Sequence, residues 1–135
     1  MTETKKIKLE ELLEVKQSFD KIINADIDIS VALDIERKIR KIVEEYVLYD
    51  KVNGKLVTRL GVPSGMGKYQ IKDDNFDEYM KEHHKLINTE IEVSYERVSL
   101  KSIVSQDIKV SVKDINRLND YVLDDIAVEE KKKNK

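Results

Sequence analysis

The sequence predicts a mainly α fold with a small antiparallel β element, built on a helical hairpin (α+β). Three observations carry the prediction. From Ser30 to Leu60, side chains at Ile35, Ile39, Ile42, Tyr46, Tyr49, Leu56 and Leu60 recur in steps of three, four and seven, one stripe along an α-helix. Thr89, Ile91, Val93 and Tyr95 alternate with Glu90, Glu92, Ser94 and Glu96, as in a strand with one buried and one wet face. Charged residues make up 39% and hydrophobic ones 40%, with 4 Gly and 1 Pro, a balance that favours helices over sandwiches or disorder.

Taken in order, the chain opens on a polar start expected to fray. Leu9, Leu12, Leu13, Phe19, Ile22 and Ile23 then mark a first helix, about Lys8 to Asn24, with Glu10, Glu11 and Glu14 near the end its dipole makes favourable for acids. A short connection, Ala25 to Ile29, folds the next helix back on it, with Ser30 as the expected N-cap.

The long stripe has one flaw, Asn53-Gly54. Asn-Gly flanked by rough alternation is a hairpin signal, and Gly inside a helix costs roughly 1 kcal/mol relative to Ala. Against a hairpin, Leu56 and Leu60 stay in phase with Ile42 and Tyr49. The maintained period favours one long, bent helix whose weakest point is Gly54; the hairpin over 48–58 remains the alternative.

Gly61-Val62-Pro63-Ser64-Gly65-Met66-Gly67 stops that helix and reads as an exposed loop, followed by a short strand from Tyr69 to Lys72. Asp73 or Asp74 caps a helix from about Asn75 to Ile87, with Phe76, Tyr79, Met80, His83 and Ile87 on one face and Asn88 as the stop. After the alternating strand, Ile108 to Val110 is a candidate second strand. Ser111 with Asp114 resembles a capping box for a last helix reaching about Leu123. Residues 1–128 form a single helical domain, and 129–135 a disordered, Lys-rich tail.

The chemistry is sparse. A net charge of −2 and a pI near 5.8 argue against a general nucleic-acid binder. Without cysteine there is no disulfide, thiolate metal site or Cys nucleophile. No apolar run approaches the ~20 residues that span a bilayer, and no signal-peptide core follows the polar N-terminus; a protein of the cytoplasm is expected.

Gly61 to Lys68 resembles a phosphate loop only superficially. Five residues separate Gly61 from Gly67-Lys68 where the Walker pattern has four, and Tyr69 stands where Ser or Thr would hold magnesium. His83 and His84 point about 100° apart on a helix and cannot clamp one metal; His83 reads as a hydrogen-bonded core residue. The many aspartates lack calcium-loop spacing. Arg37, Lys38, Arg40 and Lys41 are surrounded by Asp34, Glu36, Glu44 and Glu45, the pattern of a salt-bridged solvent face. No catalytic residue, cofactor or metal ligand is assigned.

Several segments together resemble a family of small uncharacterised proteins encoded by tailed phages and prophages of Gram-positive bacteria. They are Asp28-Ile29-Ser30-Val31-Ala32 leading into a long helix, the stretch from Gly67-Lys68-Tyr69 to Asp73-Asp74-Asn75, Asn88-Thr89-Glu90-Ile91-Glu92-Val93, and Ile108 to Asp114. The resemblance implies a phage origin, hence the host cytoplasm or the virion, and transfers no functional residues.

Two functional classes follow. The first is a non-enzymatic protein-binding module, an assembly or virion-associated factor or an inhibitor of a host factor, with a homo-oligomer as one form of partner. Its candidate contacts are Val62, Met66, Lys68 and Tyr69. The second is a small-molecule binder that sequesters a nucleotide signal in anti-defence, with Arg37, Arg40 and Lys68 on phosphate.

Overall fold

The computed structural model describes residues 2–104, 106, 108 and 110–123. In chain order these form β1 (Thr2–Lys8), α1 (Leu9–Ile23), α2 (Ile29–Lys38), α3 (Arg40–Leu60), β2 (Gly61–Gly65), β3 (Lys68–Ile71), α4 (Asp73–Ile87), β4 (Glu90–Glu96), β5 (Val98–Ser99), α5 (Leu100–Val104), α6 (Val112–Leu118), a 3-10 turn (Asn119–Tyr121) and β6 (Val122–Leu123). The expected architecture, mainly helical with a small antiparallel β element, is the one found.

Spacing explains the core. On α1, Leu9, Leu12, Val15, Ser18, Phe19 and Ile22 fall three or four apart and are the buried residues of that helix. All of these but Ser18 meet Ile35, Ile39 and Ile42 of the long stripe, together with Ile7, Val93, Tyr95, Val98, Ile103, Leu118 and Tyr121, in one apolar cluster. The stripes of α1 and of the α2–α3 stretch thus share a core. The Lys16 ammonium lies 4.8 Å from the Tyr46 ring where α1 passes α3.

Asn53 and Gly54 lie inside α3, so the helical phase prevails over the hairpin signal. The single long helix is nevertheless interrupted, and at Ile39 rather than at Gly54. Ile39 has φ −104° and ψ 19°, and its side chain is fully buried. The break between α2 and α3 thus falls on a core residue. The N-cap expected of Ser30 belongs instead to Asp28, whose carboxylate accepts from the Ser30 amide (2.8 Å) and hydroxyl (2.6 Å).

The polar start does not fray. Thr2–Lys8 pairs antiparallel with Glu90–Glu96, Ile7 opposite Ile91 and Lys5 opposite Val93. The strand partner expected from Ile108 to Val110 is therefore the N-terminus; Ile108 and Val110 are outside any strand, and Lys109 lies outside the described residues. Val98 and Ser99 pair in parallel with Val122 and Leu123.

Ser111 caps α6 as expected, its hydroxyl accepting from the Asp114 amide at 3.1 Å. That helix ends at Leu118 rather than near Leu123, giving way to the 3-10 turn and β6. The tail at 129–135 lies outside the described residues. Among the described residues, no helix is long and apolar enough to cross a membrane.

Candidate functional site: an exposed helical arm

Gly61 to Ile71, expected as a loop and a lone strand, is a β-hairpin. Gly61 pairs with Ile71, Val62 with Gln70, Pro63 with Tyr69 and Gly65 with Lys68, with an irregularity at Ser64. Met66 and Gly67 form the two-residue turn, with φ of 54° and 73°. Positive φ at both central positions is what the twist of a tight hairpin demands. Gly67 meets the demand freely. Met66 does so at a steric cost that glycine or asparagine would avoid. At the base, a Cβ on Gly61 would stand 2.5 Å from the Val57 carbonyl oxygen, so the turn out of α3 requires glycine there.

Behind the hairpin, α4 returns along α3 in the opposite direction. Three polar contacts mark the path: Asn75 Nδ2 donates to the Leu60 carbonyl (2.9 Å), Tyr79 Oη donates to Asn53 Oδ1 (3.3 Å), and Tyr49 Oη bonds His83 Nε2 (2.8 Å). The Tyr79 and His83 rings stack with centroids 5.5 Å apart. His83 is hydrogen-bonded, as its place on the apolar face suggested, but half-buried between two helices rather than in the core. Burial pushes the Tyr49 phenol pKa up, with the neighbouring Tyr79 and Tyr46 adding to it. Asp73 and Asp74 do not cap α4; its N-cap is Lys72, without a side-chain bond, and the two acids sit in the first turn against the helix dipole.

This arm is thin. No apolar residue from Asp50 to Lys85 belongs to the main core or packs against it, and α4 has no fully buried residue. From Tyr46 to Leu60, α3 alone extends for about 20 Å. Val47, Leu48, Val52, Val62, Met66, Tyr69, Phe76 and Met80 are all exposed along it, Met66 at 99%. Scattered apolar residues on a surface are ordinary; this many on one arm make it the candidate contact surface.

The candidate contacts fall in two places. Val62, Met66, Lys68 and Tyr69 all belong to the hairpin, with Met66 at its tip. Because Tyr69 pairs with Pro63 and Val62 with Gln70, Tyr69 and Val62 point to opposite faces. Arg37 and Arg40 lie at the other end of α3, in a shallow cleft of about 410 Å³ lined also by Lys38, Lys41 and Ser94. The length of α3, about 30 Å, separates them from Lys68. In that cleft Lys38 pairs with Asp34, and Arg40 and Lys41 share Glu44. Those hydrogen bonds, Lys41's first, hold the Glu44 carboxyl below its ordinary pKa.

The third helix could be expected to cover part of the long helix; the polar pairs that join them, Tyr49–His83, Tyr79–Asn53 and Asn75–Leu60, were not foreseen, although the apolar face assigned to α4 contained both Tyr79 and His83. An apolar groove of about 350 Å³ between α5 and α6, floored by Ile103, Ile115 and Leu118, went unnoticed because its lining comes from short elements without a readable period. Among the described residues, no three His, Asp or Glu side chains gather as a metal site would require.

No protein-family model matches the chain, and neither a curated protein nor a solved structure does.

Proposed function

We propose that the chain is a small, non-enzymatic protein of phage type that works by binding another protein, as an assembly or virion-associated factor or as an inhibitor of a host factor. The hairpin at the end of the arm is its contact element. One observation carries the reading: Met66, an apolar residue, is 99% exposed at the hairpin tip while held in left-handed backbone. A residue that is costly in the free protein and useless to its core is explained by what it touches in a complex. Val62 and Tyr69 extend that contact to both faces of the hairpin.

The test places a photo-crosslinking amino acid at position 66 and irradiates cells in which the chain acts. A discrete adduct with another protein, lost when Val62 and Tyr69 are also changed to Ser, supports the reading. Absence of any adduct overturns it.

A nucleotide-binding role has its own observation, the free cation in the cleft: among the described residues Arg37 has no ion-pair partner, whereas Lys38, Arg40 and Lys41 do. In that reading Arg37 and Arg40 hold phosphate without Lys68. Native mass spectrometry of the purified chain separates the two, because a co-purified nucleotide favours the cleft over the hairpin.

A further inference from the structure

Two parallel rows run along one side of α3. Leu48, Val52 and Leu56 recur every four residues, and so do Lys51, Lys55 and Arg59, each cation three residues beyond an apolar neighbour and hence beside it. Together the rows cover about 17 Å of helix. Leu48 and Val52 are exposed, Leu56 is half-buried, and all three cations are exposed.

The facing wall is α4, which with α3 encloses a groove of about 430 Å³. Val52, Leu56 and Leu86 supply its apolar lining, Lys55 and Arg59 the charge on the α3 side and Lys85 that on the α4 side. Lys85 is held by Glu82 in the same lining, at 3.5 Å.

The cations of α3 are not held. Further up the α2–α3 stretch every cation but Arg37 has an acid three or four residues away, Lys38 with Asp34 and both Arg40 and Lys41 with Glu44. Lys51, Lys55 and Arg59 have no acid at those spacings and no ion-pair partner among the described residues. They have each other instead. Like charges four apart on a helix repel, so the row destabilises the free protein by an amount that an anionic neighbour would remove.

We propose that this groove binds a helical segment of a partner protein that is apolar along one row and carries Asp or Glu along the next. Its apolar side chains lie on Leu48, Val52 and Leu56, and its carboxylates face Lys51, Lys55 and Arg59. Both rows together choose the occupant. A phosphate group or a polynucleotide would use the cations and leave the exposed apolar row in water, whereas an apolar segment without acids would leave the repulsion in place. An amphipathic helix laid in a groove is a recurring mode of recognition, and matched charge at its edge selects among such helices. This rests on the reading of the arm as a protein-binding element, and names the chemistry of what it binds. The two fail separately: a groove that takes no acidic helix ends this proposal and leaves the Met66 cross-link standing, while a groove that takes one without a Met66 adduct does the reverse.

The probe is a fluorescently labelled peptide of about 18 residues, made of Leu, Ala and Glu with Leu on one helical row and Glu on the next. Anisotropy against the purified chain at low salt is expected to show binding that weakens as salt is raised. A peptide with Lys for every Glu, and one with Ser for every Leu, are each expected to bind about tenfold more weakly or less. Lys51→Glu with Lys55→Glu should reverse the preference between the Glu and Lys peptides, and Leu48→Ser with Val52→Ser should lose the Glu peptide at unchanged charge. All four side chains are exposed, and circular dichroism verifies that each variant keeps its fold. No binding of the Glu peptide up to about 1 mM overturns the proposal, as does equal binding of the Glu and Lys peptides. A single-stranded oligonucleotide that binds more tightly than the Glu peptide also overturns it, in favour of a polyanion site.

Discussion

Ser18 Oγ donates a 2.8 Å hydrogen bond to Asp114 Oδ1, joining α1 to α6 across 96 residues of chain. Both side chains are buried, at 0% and 2% exposure. The carboxylate is fully engaged: Ser111 Oγ donates to Oδ2 at 2.7 Å, and Lys21 Nζ reaches both oxygens at 3.1 and 3.2 Å. A buried charge is tolerated only with such satisfaction; Ser111 caps the helix start, and Asp114 in its first turn makes the tertiary clasp.

Asp114→Asn should destabilise the fold by about 2 kcal/mol, since the amide keeps the volume but replaces an acceptor that takes charge-assisted bonds with a group that cannot accept them all. Denaturant unfolding checks it. The pH dependence follows from the same bonds. The Ser111 hydroxyl, then Ser18 and Lys21, hold the Asp114 carboxyl well below the usual carboxylate range. A carboxyl lowered in the folded state contributes stability that is present above its unfolded pKa and lost as pH falls below about 4. The wild type should therefore lose more of its thermal stability between pH 5 and 2 than Asp114→Asn does.

Tyr121 presents the opposite case. Its ring is 1% exposed, edge-on to Phe19 at 6.4 Å, 4.7 Å from the Tyr95 ring and beneath the Lys5 ammonium, while its hydroxyl has no hydrogen-bond partner among the described residues. Tyr121→Phe keeps the packing and removes the unsatisfied group, so stability should hold or rise by up to about 1 kcal/mol at neutral pH. A loss greater than that would reveal a buried water on the hydroxyl. Burial pushes the phenol up to about 12. A group raised in this way contributes stability below its unfolded pKa of about 10 that disappears as pH rises through the folded value. Alkaline denaturation should thus be steeper in the wild type than in Tyr121→Phe.

Gly54 lies in mid-helix, and a Cβ built on it meets nothing within 4 Å. Gly54→Ala should raise stability by about 0.5–1 kcal/mol through the unfolded chain, whose freedom the alanine reduces. Thermal unfolding reads the shift directly. A loss of similar size would place this position in a turn.

What could be read in the sequence depended on whether the local signal and the tertiary demand agreed. The stripe from Ile35 to Leu60 was legible because its apolar period is kept over seven turns and outweighs a single Asn-Gly. The bend at Ile39 was hidden, since Ile39 is itself on the stripe and no Gly or Pro announces it. The N-terminal strand was hidden for another reason: in Thr2–Lys8 the inward positions are Glu3, Lys5 and Ile7, so alternation exists in space but not in hydrophobicity. Lys5 faces inward because Asp120 accepts from it at 2.6 Å, a partner 115 residues away that no local pattern foretells. The true hairpin turns on Met66-Gly67, whose first residue is a poor fit to its backbone, while the better turn pair, Asn53-Gly54, was absorbed into a helix. The candidate residues of the loop were found by their exposure, and their pairing into strands was not.

That misfit makes the hairpin tip the place where stability and binding should move in opposite directions. Met66 holds φ at 54°, a region that Asn tolerates far better than Met, and its side chain is 99% exposed. Met66→Asn should therefore raise the thermal stability of the arm, by up to about 1 kcal/mol, because the strain is relieved and no packing is lost. The same change removes the apolar group that the proposed binding uses, so binding should weaken. Val62→Ser with Met66→Ser should also weaken partner binding, with little change in melting temperature, since both side chains are exposed and neither belongs to the core. Differential scanning calorimetry paired with titration of the cross-linked partner reads both quantities on one sample. If Met66→Asn left binding unchanged while stabilising the chain, Met66 would be tolerated rather than used, and the contact element would have to lie elsewhere on the arm.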